Sequence, residues 1–539
     1  MSRSGQTNWI TCTFQGGWMT DMGPSFYGAP AQDKTLPIPF LSTADNLIYT
    51  LDGGFGKMGG TLPLNPSPII STTTQITALF DFWKNGTGGT PNQQRLAVAG
   101  TNVYNDNADG VFVSLGTPNL TAGATAHIGQ GYDTAVICTD STADTPKSYD
   151  QTTYGNLAGS PARMSFTEFH KNHMFGSGDF ANPSRIYYTV PGAVNDWTGA
   201  GSGSIDVNPS DGDIVVGLAS HMGQLIVFKG PNKGSIHILT GATNSDFALT
   251  PFIMNLGGVW QNSIFRFGND LGWMTPQGTV HSLSTTAAFG NYTETYLSFP
   301  INQWIRDNVN QSGLRKAWAT NDFTNGKALF LVPSAGNNVN DMQLLMDYRF
   351  MFRGERFPRW ARWNTYKGSS MAQVMDVSSR KRIFIGGNEG QIWKTDQSNR
   401  AHNTVTPINM TALTPSMTFG SEIEMKTLHN LGVLIAPKNN NNITVSWTRG
   451  GSTPQIDTVT QGAGGDVLGP AGAGQTPFTL DTSTLGGARF VSRYLEEETG
   501  GEFRSLSIQV SDTILNSDLE VHGIGIGIAA GATSTDNNE

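Results

Sequence analysis

Short apolar runs cut by Gly, Asn, Asp and Pro recur along most of this chain. They read Leu47-Ile48-Tyr49-Thr50-Leu51, Leu96-Ala97-Val98-Ala99, Ala135-Val136-Ile137-Cys138, His173-Met174-Phe175, Leu225-Ile226-Val227-Phe228, Leu271-Gly272-Trp273-Met274, Ala328-Leu329-Phe330-Leu331-Val332 and Arg382-Ile383-Phe384-Ile385. Runs this short, bounded by turn formers, predict antiparallel strands joined by tight turns. Their spacing of roughly 40 to 55 residues is that of four-stranded propeller blades. Several are followed by a Gly turn and an alternating partner strand: Gly234-Ser235-Ile236-His237-Ile238, Gly278-Thr279-Val280-His281-Ser282-Leu283 and Gly390-Gln391-Ile392-Trp393-Lys394. Such a turn returns a chain to its own sheet.

Three departures from this pattern set the outer organisation. Residues 1 to 45 are Gly- and Pro-rich with isolated aromatics at Trp9, Phe14, Trp18, Phe26 and Tyr27, which predicts an extended arm. Ile301, Trp304, Ile305 and Val309 fall at helical spacing after Ser298 and Pro300, which predicts one short helix as a plug or blade insertion. Between Thr395 and Gly420 the chain turns Ser/Thr/Asn/Pro-rich, and period-two runs follow at Leu431-Val433-Ile435, Ile443-Val445-Trp447, Leu506-Ile508-Val510 and Leu519-Val521. Those runs predict a sandwich with one face of each sheet buried, and Gly450 to Gly487 a long loop within it. The expected architecture is therefore all-β: an extended N-terminal arm over 1–45, a β-propeller of six to eight blades over 46–400, and a C-terminal β-sandwich over 401–539.

Composition narrows the class. Charged residues make up only 14% of the chain and Gly numbers 65, which favours a turn-rich protein held in an assembly over a free enzyme. The formal net charge is −9, and residues 406–539 carry most of it, with 6 Lys+Arg against 14 Asp+Glu. An acidic segment argues against phosphate clamping, which needs clustered Lys and Arg. Cys12 and Cys138 lack metal or redox spacing and read as small buried hydrophobes. The first residues hold no apolar signal region and no run approaches a membrane span, so the expectation is a product kept inside the producing cell, with no membrane insertion by this chain.

Candidate chemistry is sparse. His170 and His173 sit at a strand entry, where they would not share a face as helical neighbours do, and read as surface or turn histidines. Asp206, Asp211 and Asp213 admit a calcium reading, although Asp-Gly-Asp more often marks a turn. No Asp box, GxSxG, HExxH, Walker or dinucleotide motif is present, so no catalytic residue, metal site or cofactor is assigned. The one basic aromatic run spans Asp347 to Trp363. Its arginines Arg349, Arg353, Arg356, Arg359 and Arg362 either stack bases and pair phosphates, as in single-strand binders, or meet carboxylates while the aromatics fill a core.

One stretch carries a resemblance. Asn182-Pro183-Ser184-Arg185 with Tyr187-Tyr188, then Trp197, Gly203-Ser204-Ile205-Asp206, Asp211-Gly212-Asp213-Ile214, Gly217-Leu218, Phe228-Lys229, Ser235-Ile236 and Leu239-Thr240-Gly241 follow one another in an order that resembles the β-propeller hub or nozzle proteins of short-tailed bacteriophage tails. The match is close over roughly 160 to 290 and weaker elsewhere. The resemblance implies a structural virion protein, assembled in the host cytoplasm as a homohexameric ring. In the tail it would join the portal or adaptor side to distal tail or fibre proteins and conduct double-stranded DNA without sequence specificity. The competing class is a propeller that binds or cleaves host-surface carbohydrate.

Overall fold

The computed structural model describes residues 8–14, 16–20, 40–86, 91–106, 110–159, 163–289, 296–355, 357–376, 380–419, 423–436, 438–439, 441–461, 491–494 and 502–530. The chain is all-β and forms two compact units, one of residues 62–349 with 366–396 and the other of residues 1–61, 350–365 and 397–539.

The first unit is a seven-bladed β-propeller among the described residues. Blade 1 holds Ile76–Asn85, Pro91–Ala99, Asn102–Asp106 and Val113–Ser114, and blade 2 holds Ala126–Gly131, Thr134–Thr139, Lys147–Tyr149 and Tyr154–Asn156. Blade 3 is Phe166–His170, His173–Ser177, Arg185–Tyr188 and Gly203–Asp206. Blade 4 is Ile214–His221, Gln224–Gly230, Ser235–Thr240 and Ala248–Met254. Blades 5 and 6 begin with three strands each, at Ile264–Phe267, Asp270–Met274 and Val280–Ser282, and at Trp318–Asp322, Lys327–Val332 and Met342–Asp347. Blade 7 contains Ser370–Met375, Lys381–Gly386 and Ile392–Gln397. The first strand of each blade, or the short 3-10 turn leading into it, touches the next, and Ser370–Met375 meets Ile76–Asn85 to close the ring.

Seven of the eight apolar runs fall on the second strand of a blade. That strand has a hydrogen-bonded neighbour on each side and a blade over each face, so its side chains are buried in succession rather than alternately, as along Leu225–Gly230 or Ala135–Thr139. The eighth run differs: Leu47–Tyr49 belongs to the other unit, where it pairs with Phe55–Lys57. Two-residue turns set the register where first and second strands meet. Lys171-Asn172 (φ 44° and 66°) and Met222-Gly223 (φ 46° and 75°) occupy the left-handed region that hairpin turns of the primed kind require. Opposite Phe265, Gly272 leaves room for the ring, since a Cβ there would lie 2.4 Å from it.

Ring closure joins an apolar cluster, in which Ile76 and Leu79 pack with Val374 and Phe384, to polar groups. Leu64 N–H donates to Ile392 O at 2.7 Å, Ile392 N–H donates to Asn65 Oδ1 at 2.7 Å, and Asn65 Nδ2 donates to Gly390 O at 3.1 Å. The amide of Asn65 thus continues the sheet where a backbone strand stops. The expected helix is present at Asn302–Asn308, behind a 3-10 turn at Phe299–Ile301 that contains Pro300, with Val309 at its end. Ser298 does not cap it, because its hydroxyl instead accepts from Val280 N–H at 3.0 Å. A second helix, Leu283–Phe289, was not expected from the pattern.

The second unit is a β-sandwich built from three stretches of sequence. One sheet runs Leu47–Tyr49, Phe55–Lys57, Glu520–Ala530, Lys426–Ile435, Val491–Tyr494, with Asn8–Cys12 also paired to Glu520–Ala530. The other runs Thr43–Asp45, Met410–Leu413, Leu506–Asp512, Asn442–Arg449, Gln455–Thr460, with Arg359–Trp363 parallel to Thr43–Asp45. Strict alternation of burial along Leu506–Asp512 and Asn442–Arg449 is what half-buried sheets show. The chain therefore divides differently from the expected 1–45, 46–400 and 401–539. The expected arm supplies two strands, residues 46–61 and 350–365 join the sandwich, and Gln455–Thr460 is a strand where a loop was expected. These segments escape a periodicity reading because they are three to six residues long, and Thr43–Asp45 finds its partners, Arg359–Trp363 and Met410–Leu413, hundreds of residues away. The remainder of the expected loop, 462–490, lies outside the described residues. Among the described residues no helix is long and apolar enough to cross a membrane.

Candidate functional site

The residues that carry the phage-tail resemblance form one framework in blades 3 and 4. Arg185 and Asp206 are cross-strand partners joined in a fork, Nε to Oδ1 at 2.7 Å and Nη2 to Oδ2 at 3.1 Å. Lys229 is fully buried, and its ammonium donates to Val207 O at 2.7 Å, Asn208 O at 2.8 Å and both oxygens of Asp211 at 2.7 Å. Burial opposes the charge on Asp211, but Lys229 and the Asp213 N–H together hold its carboxyl below the usual range. Asp213 accepts the N–H groups of Asn232 (2.7 Å), Lys233 (3.1 Å) and Gly234 (2.7 Å), pinning the turn between the second and third strands of blade 4. All three carboxylates are thus engaged by protein donors, which leaves the calcium reading without a ligand set.

The two histidines are not surface residues. His170 and His173 face each other across the hairpin, and both are buried. His170 Nδ1 lies 2.8 Å from Ser220 Oγ, and His173 Nδ1 lies 2.5 Å from Thr189 O. Burial, with Lys171 and His173 nearby, lowers the His170 pKa to about 4.

The arginine run does not act as one surface. Arg349 belongs to the propeller, where it forks onto Asp347 through Nε (2.9 Å) and Nη2 (2.6 Å). Arg353, Arg359 and Arg362 belong to the sandwich, and Arg356 lies outside the described residues. Arg353 is exposed and donates to Leu51 O at 2.8 Å. Arg359 is buried, paired to Glu355 at 2.7 Å and stacked 3.4 Å above the Phe350 ring. Arg362 donates from Nε to Asp45 at 2.8 Å. Carboxylates thus take three of the four described guanidinium groups.

A feature that the sequence reading missed lies on the propeller axis. A cavity of about 590 Å³ is lined by the first strands of the blades, with Asp81, His127, Glu168, Asn262, Arg266 and Gln373 among its polar walls. Glu168 Oε1 accepts from Arg266 Nη2 at 3.1 Å and from Ser220 N–H at 2.9 Å. Burial raises the Glu168 pKa, with Ser220 N–H and Arg266 working the other way, and burial lowers that of His127 to about 4. The signal available in the sequence was a charged residue between aromatics, Phe166-Thr167-Glu168-Phe169 and Phe265-Arg266-Phe267, where first strands of blades alternate inward and outward.

No protein-family model and no curated protein matches the chain. Among solved structures, YCF48 from Cyanidioschyzon merolae is 11% identical over 62% of this chain and 98% of its own, at a TM-score of 0.38. YCF48 bound to D1 peptide is 8% identical over 66% and 97%, at 0.36. An exo-beta-1,3-galactanase from Phanerochaete chrysosporium, solved with galactose, is 8% identical over 85% and 100%, at 0.27. At TM-scores this low none of these likenesses carries an argument, and the propeller assignment rests on the ring of sheets in this chain.

Proposed function

We propose that this chain is a structural virion protein, a hub or nozzle subunit of a short-tailed phage tail, whose copies form a sixfold ring around a conduit for double-stranded DNA. In that role it joins the portal or adaptor side to distal tail or fibre proteins. The observation that supports the reading is that the residues of the resemblance lie in one neighbourhood: Arg185–Asp206 ties two strands of blade 3, Asp213 pins a turn of blade 4, and Lys229 of blade 4 holds the Val207–Asp211 connection between them.

The path for DNA lies between copies. The axial cavity has the volume of about twenty water molecules at ~30 Å³ each, far too little for a duplex. A ring of subunits supplies a wider passage, and sixfold repetition multiplies a net charge of −9 per copy, so phosphates are repelled at long range rather than held. Tight phosphate contacts would brake ejection.

Native mass spectrometry and duplex-binding titrations on the purified full chain test this reading. The expected result is a concentration-dependent hexamer with weak duplex binding at physiological salt. A monomer that binds duplex tightly, with steep salt dependence, would move function to the arginine segment and reject the conduit.

A further inference from the structure

We propose that the side chains of Lys57 and Asp512 condense to an intramolecular amide, a covalent staple between the two sheets of the sandwich. The inference is independent of the conduit reading.

The two residues come from opposite sheets and from opposite ends of the chain. Lys57 ends the strand Phe55–Lys57, paired with Leu47 and tied by its N–H to Leu519 O at 3.0 Å. Asp512 ends the strand Leu506–Asp512, opposite Met410. Both side chains are fully buried, with Nζ 3.5 Å from Oδ1. That separation is long for a charge-assisted hydrogen bond of ~2.7–2.9 Å, and the carboxyl carbon is one bond beyond Oδ1.

As an ion pair this arrangement is poorly satisfied, whereas an amide would satisfy it fully. Nζ donates to Ile514 O at 3.0 Å, and Oδ1 accepts from Ile514 N–H at 2.9 Å. Oδ2 has no hydrogen-bond partner among the described residues. An orphaned oxygen on a buried carboxylate is costly and calls for a reason. In the amide, Nζ keeps one hydrogen for Ile514 O, and Oδ1 becomes the carbonyl oxygen that accepts from Ile514 N–H. The orphaned Oδ2 is the atom that leaves.

The reaction balances without a further reagent. Nζ passes a proton to the carboxyl group, the resulting amine attacks Cγ, and the Cγ–Oδ2 bond breaks once the Cγ–Nζ bond has formed. Oδ2 departs as water with two hydrogens that began on Nζ, nothing is oxidised or reduced, and one pair of opposite charges disappears. Burial lowers the Lys57 pKa, against the pull of Asp512 and with help from Arg400, which brings the amine form closer. Asp518, the other carboxylate that acts on Lys57, is forked onto Arg400 at 3.0 and 3.1 Å and is no rival acceptor. The dry interior also withholds the water that would reverse the condensation, and the fold holds the two groups together as an intramolecular pair.

Mass spectrometry of the denatured full chain tests the proposal. The wild type should fall short of its sequence mass by one water, about 18 Da. Trypsin should leave the Lys57–Met58 bond uncut and release residues 35–84 joined to residues 505–539. Lys57→Arg, which keeps a cation but offers no condensing amine, and Asp512→Ala should each abolish the joined peptide. The wild-type result stands without either variant, so a variant that fails to fold does not obscure it. A wild-type chain of full mass, cut by trypsin after Lys57, would overturn the proposal. So would a missing water with Lys57 still cut, as an imide at an Asp-Gly step such as Asp211-Gly212 would give, or a joined peptide that persists in either variant.

Discussion

Replacing Lys229 by methionine keeps the length and packing of the side chain but removes the ammonium from the centre of the blade 3–4 framework. Five acceptors lose the ammonium: Ser184 Oγ, Val207 O, Asn208 O and the two oxygens of Asp211, of which Oδ1 keeps the Asp213 N–H. Breaking a fully buried ion pair costs ~3–5 kcal/mol. Here the Asp211 side chain is 28% exposed and Asn208 is at the surface, so water replaces part of what is lost. The Val207 carbonyl sits in a fully buried residue and bears an unsatisfied-acceptor penalty of ~1–3 kcal/mol. The expected total is about 3 kcal/mol. With an unfolding entropy near ~2.1 cal/mol/K per residue over the roughly 320 residues of the propeller unit, this lowers Tm by about 4–5 °C. Differential scanning calorimetry reads that shift.

The same pair predicts a pH signature. Because the folded Asp211 pKa is depressed, its stabilisation is complete above the usual value of 3.8 and is lost as pH falls through the folded value. The gap between wild type and Lys229→Met should therefore narrow below pH 3.8. A loss under about 1 kcal/mol at neutral pH, no more than one ordinary hydrogen bond, would refute the framework role.

Further perturbations test the other assignments. Asn65→Ala removes the amide that bonds Ile392 and Gly390 at the ring closure and should cost about 2–3 kcal/mol in urea unfolding; a neutral effect would mean that the apolar cluster and the Leu64–Ile392 bond close the ring without it. Arg359→Ala should destabilise the sandwich by about 3 kcal/mol while Arg353→Ala changes stability by under ~0.5, and equal losses would contradict the burial difference. Buried His170 and His281, with pKa values lowered from 6.5 to about 4 and about 3 chiefly by burial, stay neutral in the fold while the unfolded chain takes up protons. Stability should then be level above pH 6.5 and fall as pH drops from 6.5 towards 4, by about 1.4 kcal/mol per histidine per pH unit; urea midpoints that do not decline between pH 6.5 and 4.5 would contradict this.

The propeller was legible in the sequence because its second strands are buried on both faces, so their apolar runs are continuous and stand out at blade spacing. The sandwich was legible in part. Leu506–Asp512 and Asn442–Arg449 alternate over enough residues to declare a half-buried sheet, whereas Thr43–Asp45 and Leu47–Tyr49 are too short to show a period. Nothing local in Asp45 announces its pairing with Arg362. The histidines were misplaced for the same reason: His173 is buried by Phe175, Tyr188 and Phe247, which come from three different strands or loops. The axial cavity was invisible because each first strand contributes only one or two inward polar residues, and seven blades must be assembled before they converge.

Cryo-imaging of phage particles that contain this protein, with its position fixed by a fusion tag, tests the central claim most directly. The account predicts six copies in a ring at the tail, with the nucleic-acid path running between propellers rather than through their axes. A single or trimeric copy at the end of a fibre, or absence from the particle, would contradict it.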